Sequence, residues 1–146
     1  MREYRKLQIS DLALVLGMDG NFRANFICEE NARQFLINPM NWIFACIEDQ
    51  QIIGFAYGYE LNRLDHKGNM LYIHEVGVLP QYQRQGIALQ LLTHIKQLCK
   101  LTGICRFFLI THKHNEAACA LYEKAGGDKS HNALEDDVTY FFVNLD

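Results

Sequence analysis

One loop in this sequence offers its backbone for chemistry. In the run Gln83-Arg84-Gln85-Gly86-Ile87-Ala88, a polar segment leaves the apolar stretch that ends at Val78-Leu79-Pro80, and Gly86 opens an amphipathic one. The first turn of a helix leaves backbone N–H groups without intrahelical partners, aligned with the positive end of the macrodipole. Such an end holds a pyrophosphate well. Gly86 lets backbone approach phosphate oxygens with no Cβ between them, Ala88 keeps the following turn small, and Arg84 adds a cationic fork. The same loop also reads as a strand-to-helix turn that needs glycine only for its geometry, and the residues alone leave both readings open. No Gly-x-Gly-x-x-Gly and no Gly-Lys-Ser/Thr run is present, so the common dinucleotide and nucleoside-triphosphate fingerprints are missing.

Other chemistry-bearing residues stand nearby. Glu75 is an acid inside the otherwise apolar run Tyr72-Ile73-His74-Glu75-Val76-Gly77-Val78. An acid there costs desolvation unless it faces a cleft or finds a partner. Strand alternation predicts that His74 turns to the opposite face. His112 and His114 flank Lys113 with no third ligand at a conventional spacing, which reads as a solvated loop at a strand end, with no metal expected. Cys28, Cys46, Cys99, Cys105 and Cys119 are odd in number, scattered and free of any Cys-x-x-Cys pair, so neither a disulfide framework nor a thiolate zinc site is expected.

The elements that must position these groups follow from the period of the apolar residues. Ser10 and Asp11 are helix N-cap types, and Leu12 to about Leu36 reads as one or two irregular helices broken near Met18-Asp19-Gly20-Asn21. Pro39 closes that region. Trp42 to Glu48 and Ile52 to Leu61 flank the polar turn Asp49-Gln50-Gln51, which predicts a β-hairpin. A third strand runs from Met70 to Leu79. Ile87, Leu91, Ile95 and Leu98 then recur at helical spacing, with Gly103 at the helix end. Arg106 to Thr111 is a strand, Asn115 to Ala125 a second helix closed by Gly126-Gly127, and Val138 to Val143 a last strand. The order predicts an α/β mixed sheet in a single domain spanning residues 1–146.

Composition bounds the function. Of 146 residues, 49% are hydrophobic and 21% charged, enough for a packed core. Lys and Arg number 14 against 17 Asp and Glu, a net charge of -3, so the basic excess of a nucleic-acid binder is missing. No apolar run is long enough for a membrane span, and no apolar signal core follows Met1 to Lys6. The expectation is a cytoplasmic protein without nucleic-acid or membrane partners.

Taken together, Val76-Gly77-Val78, Leu79-Pro80 and Gln83-Arg84-Gln85-Gly86-Ile87-Ala88 closely resemble the central motif of the GNAT superfamily of N-acetyltransferases, an Arg/Gln-x-x-Gly-x-Gly/Ala loop after a strand. Asn115, followed by Ala118, Leu121, Tyr122 and Gly126, resembles the second motif at the family's spacing. The resemblance covers nearly the whole chain. It implies a GNAT-like fold, with a central, mostly antiparallel sheet that contains one splayed parallel pair and is flanked by helices.

It also implies a reaction. Acetyl-CoA would be the cosubstrate, its pyrophosphate on Gln83 to Ala88 with Asn115 contributing, and its pantetheine arm paired with Val76, Gly77 and Val78. A backbone N–H near Val76 would polarise the thioester carbonyl. Transfer would go directly to a primary amine, so Cys119 needs no nucleophilic role and no metal is called for. Tyr122 matches the family's proton donor, and its seven-residue spacing from Asn115 predicts one shared helical face. Glu75 is the candidate base, with a water chain or a purely anchoring carboxylate as alternatives. Within the superfamily, Tyr72 to Val78 and Glu135-Asp136-Asp137-Val138 resemble the aminoglycoside 3-N-acetyltransferases, which implies a cationic sugar held by Glu75, Asp136 and Asp137. A protein N-terminus, a polyamine or a non-catalytic acyl-CoA module are the alternatives. The relatives' habit of pairing implies a homodimer.

Overall fold

The computed structural model describes residues 1–18, 22, 27–130, 136–143 and 145. Seven strands form one sheet: β1 (Glu3–Lys6), β2 (Asn41–Glu48), β3 (Gln51–Leu61), β4 (Met70–Val78), β5 (Arg106–His112), β6 (Asp128–Ser130) and β7 (Asp137–Phe142). Their order is β1-β2-β3-β4-β5-β7-β6. Every neighbouring pair is antiparallel except β4 and β5, which run parallel. The mixed sheet with one parallel pair expected from the sequence is therefore present.

Four helices are seen among the described residues: α1 (Leu12–Leu16), α2 (Glu29–Ile37), α3 (Ile87–Thr102) and α4 (Glu116–Lys124). Of the one or two irregular helices expected between Leu12 and about Leu36, α1 and α2 are seen among the described residues, while Asp19, Gly20 and Asn21 of the expected break lie outside them. Asp11 precedes α1 but does not cap it with its side chain. Its carboxylate instead receives both Arg5 Nη atoms, at 2.7 and 2.8 Å, and the Gln8 N–H at 2.8 Å. An ion pair to β1 has taken the oxygen that capping would use.

The sheet carries a core on each face. Along β2, Trp42, Phe44 and Cys46 join one cluster and Ile43, Ala45 and Ile47 the other, so alternation sends successive apolar residues to opposite sides. The first cluster is closed by α3, which buries Ile87, Leu91, Leu92, Ile95 and Cys99. Burying each large aliphatic side chain there contributes about 2 kcal/mol. Leu98, expected on the same stripe, is only half-buried, because the stripe swings toward Leu92 and Cys99. The second cluster lies under α1 and α2.

Two strands have no counterpart in the sequence reading. β1 and β6 are the edges of the sheet, and most of their residues are charged or polar (Glu3, Arg5, Lys6; Asp128, Lys129, Ser130). Edge strands protected by charge lose the apolar alternation by which a strand is recognised. The β2–β3 hairpin turns on two residues, Asp49 (φ 51°) and Gln50 (φ 61°), so Gln51 belongs to the strand. Both residues in the left-handed region is the geometry that suits a two-residue hairpin.

Candidate active site

The parallel pair opens partway along its length. Rungs join Met70 to Arg106, Leu71 to Phe107, Tyr72 to Phe108 and Ile73 to Leu109. Beyond Ile73 no further rung joins β4 to β5, although β4 runs on to Val78 and β5 to His112. On its other side β4 stays paired with β3 through Glu75, Val76, Gly77 and Val78. A cleft therefore starts just past Ile73 and Leu109. One wall of it is strand backbone, which an extended amide-containing ligand can pair with.

The loop after β4 closes the cleft's end. Arg84 sits at φ 63° and Gly86 at φ 79°, and Gly86 is the residue immediately before α3. A Cβ built at Gly86 meets no atom within 4 Å. The glycine thus relieves backbone strain rather than crowding, and space stands open before the N–H groups of a sixteen-residue helix. This open cradle in front of α3, next to an unladdered strand, fits a ligand with a pyrophosphate and an extended amide arm. Gln83 ties loop to strand, its Nε2 donating to the Val78 carbonyl at 3.3 Å. Gln85 accepts from Arg2 Nη2, and Arg2 also pairs with Glu48 at 3.3 Å. Ile87 is buried in the core, so only its backbone can serve a ligand. Ala88 is half-buried and Arg84 exposed.

Asn115 stands just before α4 and caps it, its Oδ1 accepting from the Ala118 N–H at 3.1 Å. The side-chain amide Nδ2 is the part left to donate to a ligand. Tyr122, in the last turn of α4, is buried at 8% exposure and lies 5.6 Å, ring to ring, from Tyr140. Burial raises its phenol above the usual tyrosine range, and Cys119 adds to the rise. Tyr122 belongs to the apolar cluster against which Val76 and Val78 pack. It therefore sits on the α3 face of the sheet.

Glu75 is on the other face, for a reason the sequence reading missed. The register pairs Tyr57 with Glu75 but Gly58 with Ile73, leaving His74 as an extra residue in a β-bulge. The bulge reverses the alternation. Leu71 and Ile73 point into the α3 core, and so do Val76 and Val78 beyond it. Residues paired across an antiparallel ladder share a face, so Glu75 shares that of Tyr57, which packs with the α1–α2 core. His74 lies 5.4 Å from Tyr57 and 6.3 Å from Tyr59, ring to ring. The expectation that His74 and Glu75 face opposite ways is thereby corrected. His74 and Tyr72 are the residues that sequence reasoning passed over. The available sign was Gly58, one of two glycines inside β3, where a Cβ would stand 1.8 Å from the Tyr72 carbonyl oxygen.

The acidic residues expected to meet the acceptor are partly in view. Asp137 pairs with His112 at the open end of β5, and Asp136 is 4.0 Å from Lys113. Glu135 lies outside the described residues. His112 and His114 are 5.0 Å apart ring to ring, and the described residues hold no group of three His, Cys, Asp or Glu side chains placed to bind a metal. All five cysteines are free thiols. No helix among the described residues is long and apolar enough to cross a membrane.

Residues 16–127 match the model of the Acetyltransferase (GNAT) family, and the chain belongs to that family. N-alpha-acetyltransferase 50 of Danio rerio is 35% identical over 74 residues, 49% of this chain and 44% of that protein, so the match spans less than half of the relative. Among solved structures, the aminoglycoside acetyltransferase meta-AAC0020 from an uncultured soil metagenomic sample, in complex with sisomicin, superposes with a TM-score of 0.83 at 19% identity. That superposition covers 92% of this chain and 93% of the other. NAA60 of Arabidopsis thaliana, in complex with acetyl-CoA, gives 0.76 at 18% identity over the whole of both chains. The ribosomal-protein-S18-alanine N-acetyltransferase of Escherichia coli gives 0.70 at 21%, covering 97% and 91%. At these identities the structural likeness speaks for the fold alone.

Proposed function

We propose that the chain transfers the acetyl group of acetyl-CoA directly to a primary amine of a cationic amino sugar, of the kind on which aminoglycoside acetyltransferases act. The observation that carries the reading is the cleft between β4 and β5, which opens against the Gly86 cradle and is approached from its two faces by different chemistry. Backbone N–H groups from Gln83 to Ala88 hold the pyrophosphate, with Arg84 and the Asn115 amide beside them. Val76 to Val78 pair with the pantetheine arm, and a backbone N–H near Val76 faces the carbonyl oxygen as negative charge develops on it.

The amine arrives on the face of Glu75, which holds its ammonium and takes a proton. The nitrogen then attacks the thioester carbon, forming the C–N bond as the C–S bond breaks. Tyr122, kept protonated by its burial, gives a proton to the departing sulfur from the opposite face. Asp136 and Asp137 meet further ammonium groups of the acceptor at the mouth of the cleft. A second reading, acetylation of a protein's terminal α-amine, is supported by the 35% identity to N-alpha-acetyltransferase 50.

The test is thiol release from acetyl-CoA with sisomicin, spermidine and a short peptide bearing a free N-terminus. Release with sisomicin alone supports the amino-sugar acceptor. Release with the peptide alone replaces it by the second reading. Absence of release with all three, while acetyl-CoA still binds by titration, removes the transfer reading for these acceptors.

A further inference from the structure

The proton balance of the proposed transfer, on which this inference rests, asks for one more group than Glu75 and Tyr122 provide. An ammonium nitrogen begins with three protons and ends, as a secondary amide, with one. Two protons leave it. The sulfur takes up one through Tyr122, and one is released to solvent. A single carboxylate holds one proton at a time, so a second acceptor on the amine's face lets both leave within one turnover.

We propose that His74, oriented by Tyr72, is that second proton acceptor. The β-bulge places His74 on the face of Glu75, at the first position past the last rung between β4 and β5. Tyr72 Oη lies 3.1 Å from His74 Nδ1. With Nδ1–H donating to that oxygen, Nε2 carries the lone pair and can receive a proton. Tyr72 is itself held from beneath, stacked on Phe108 at 5.2 Å between ring centres. The ring of His74 is exposed to solvent, so the proton it takes has a way out. Among the described residues, the titratable groups facing it are Tyr57 and Tyr59 from β3 and Tyr72 and Glu75 from β4. Behind Tyr57 and Tyr59, α2 contributes the apolar ring of Phe35.

The steps then close. Glu75 takes the first proton from the ammonium, and the neutral amine attacks. His74 Nε2 takes the second as the C–N bond forms and becomes an imidazolium, still donating from Nδ1 to Tyr72. Tyr122 gives its proton to the sulfur. Glu75 and His74 then shed their two protons, of which one restores Tyr122 and one remains in solution.

The experiment compares His74→Gln, His74→Ala, Tyr72→Phe and the double variant Tyr72→Phe/His74→Gln, using whichever amine of the panel drives thiol release. His74→Gln is expected to lower kcat by about 100-fold, to leave acetyl-CoA affinity unchanged by titration, and to remove one acidic ionisation from the kcat–pH profile. Added imidazole should restore part of the activity of His74→Ala. Tyr72→Phe should fall by roughly fivefold, and the double variant should be no slower than His74→Gln, because Tyr72 acts through the histidine. Wild-type kcat and pH profile in His74→Gln would overturn the assignment, as would a loss in His74→Ala that imidazole does not touch. If the wild-type protein drives no thiol release at all, it is the transfer reading that fails. A wild-type enzyme that turns over, with His74→Gln its equal, sinks only the histidine's role.

Discussion

The environment of Tyr122 suits it to the role of proton donor proposed for it. Its ring is enclosed among apolar residues of the α3 face, and enclosure disfavours the phenolate. A phenol kept neutral well into alkaline pH has a proton to give, which suits a donor and not a base. Tyr122→Phe removes that proton and keeps the packing. We expect kcat to fall by about 100-fold, with acetyl-CoA affinity within about twofold. Measuring kcat beside a cofactor titration separates the effects, and an unchanged kcat would leave Tyr122 as a packing residue. Because burial raises the pKa, a basic limb due to Tyr122 should stand above the ordinary tyrosine range and vanish in the variant. Asn115 illustrates the opposite case: its oxygen is already committed to capping α4, so any contact with the cosubstrate is left to its amide nitrogen.

At the scale of elements, the decisive feature is the bulge in β4. Gly58 faces it, and a Cβ at that position would stand 1.8 Å from the Tyr72 carbonyl oxygen and 2.8 Å from Ile73 Cα, so β3 and β4 approach this closely only over glycine. Gly58→Ala must push the strands apart or slip the register, which would turn Glu75 and His74 away from their shared face. We expect a loss of about 3 kcal/mol, read as a fall in Tm of roughly 9 °C, together with a larger loss of thiol-release activity than the unfolded fraction explains. A variant with wild-type Tm and wild-type turnover would show that the bulge does not depend on Gly58. The bulge also marks where the sequence could and could not be read. The loop from Gln83 to Ala88, helices α3 and α4 and the central strands were legible because apolar period and glycine placement are local properties. Which face Glu75 and His74 take was not, since one extra residue in a register depends on the partner strand. β1 and β6 stayed hidden for a related reason: as edges they are selected for charge rather than for alternation.

At the scale of the molecule, the two faces of the sheet divide the labour of the proposed transfer. The α3 face is sealed by a long helix and holds Tyr122, the proposed donor, while α1 and α2 pack with Leu7 and residues of β2 and β3 on the opposite face. Over β4 and β5 that second face presents Tyr72, His74 and Phe108 beside the cleft, each at least partly open to solvent. The Arg5–Asp11 pair fastens β1 to the turn that begins α1, with two bonds of 2.7 and 2.8 Å. The Arg5 guanidinium holds the Asp11 carboxyl below the usual carboxylate range, against the opposing effect of burial. A lowered folded-state pKa means that the pair's stabilisation is complete above the unfolded carboxylate's pKa and is lost as pH falls through the folded one. Asp11→Asn should therefore cost about 2 kcal/mol near neutral pH, measured by denaturant unfolding. The gap between wild type and variant should shrink as the medium is acidified through that lowered range, because the wild-type carboxyl then becomes protonated too. A gap of the same size at neutral and strongly acidic pH would mean that Asp11 acts through packing and not through its charge.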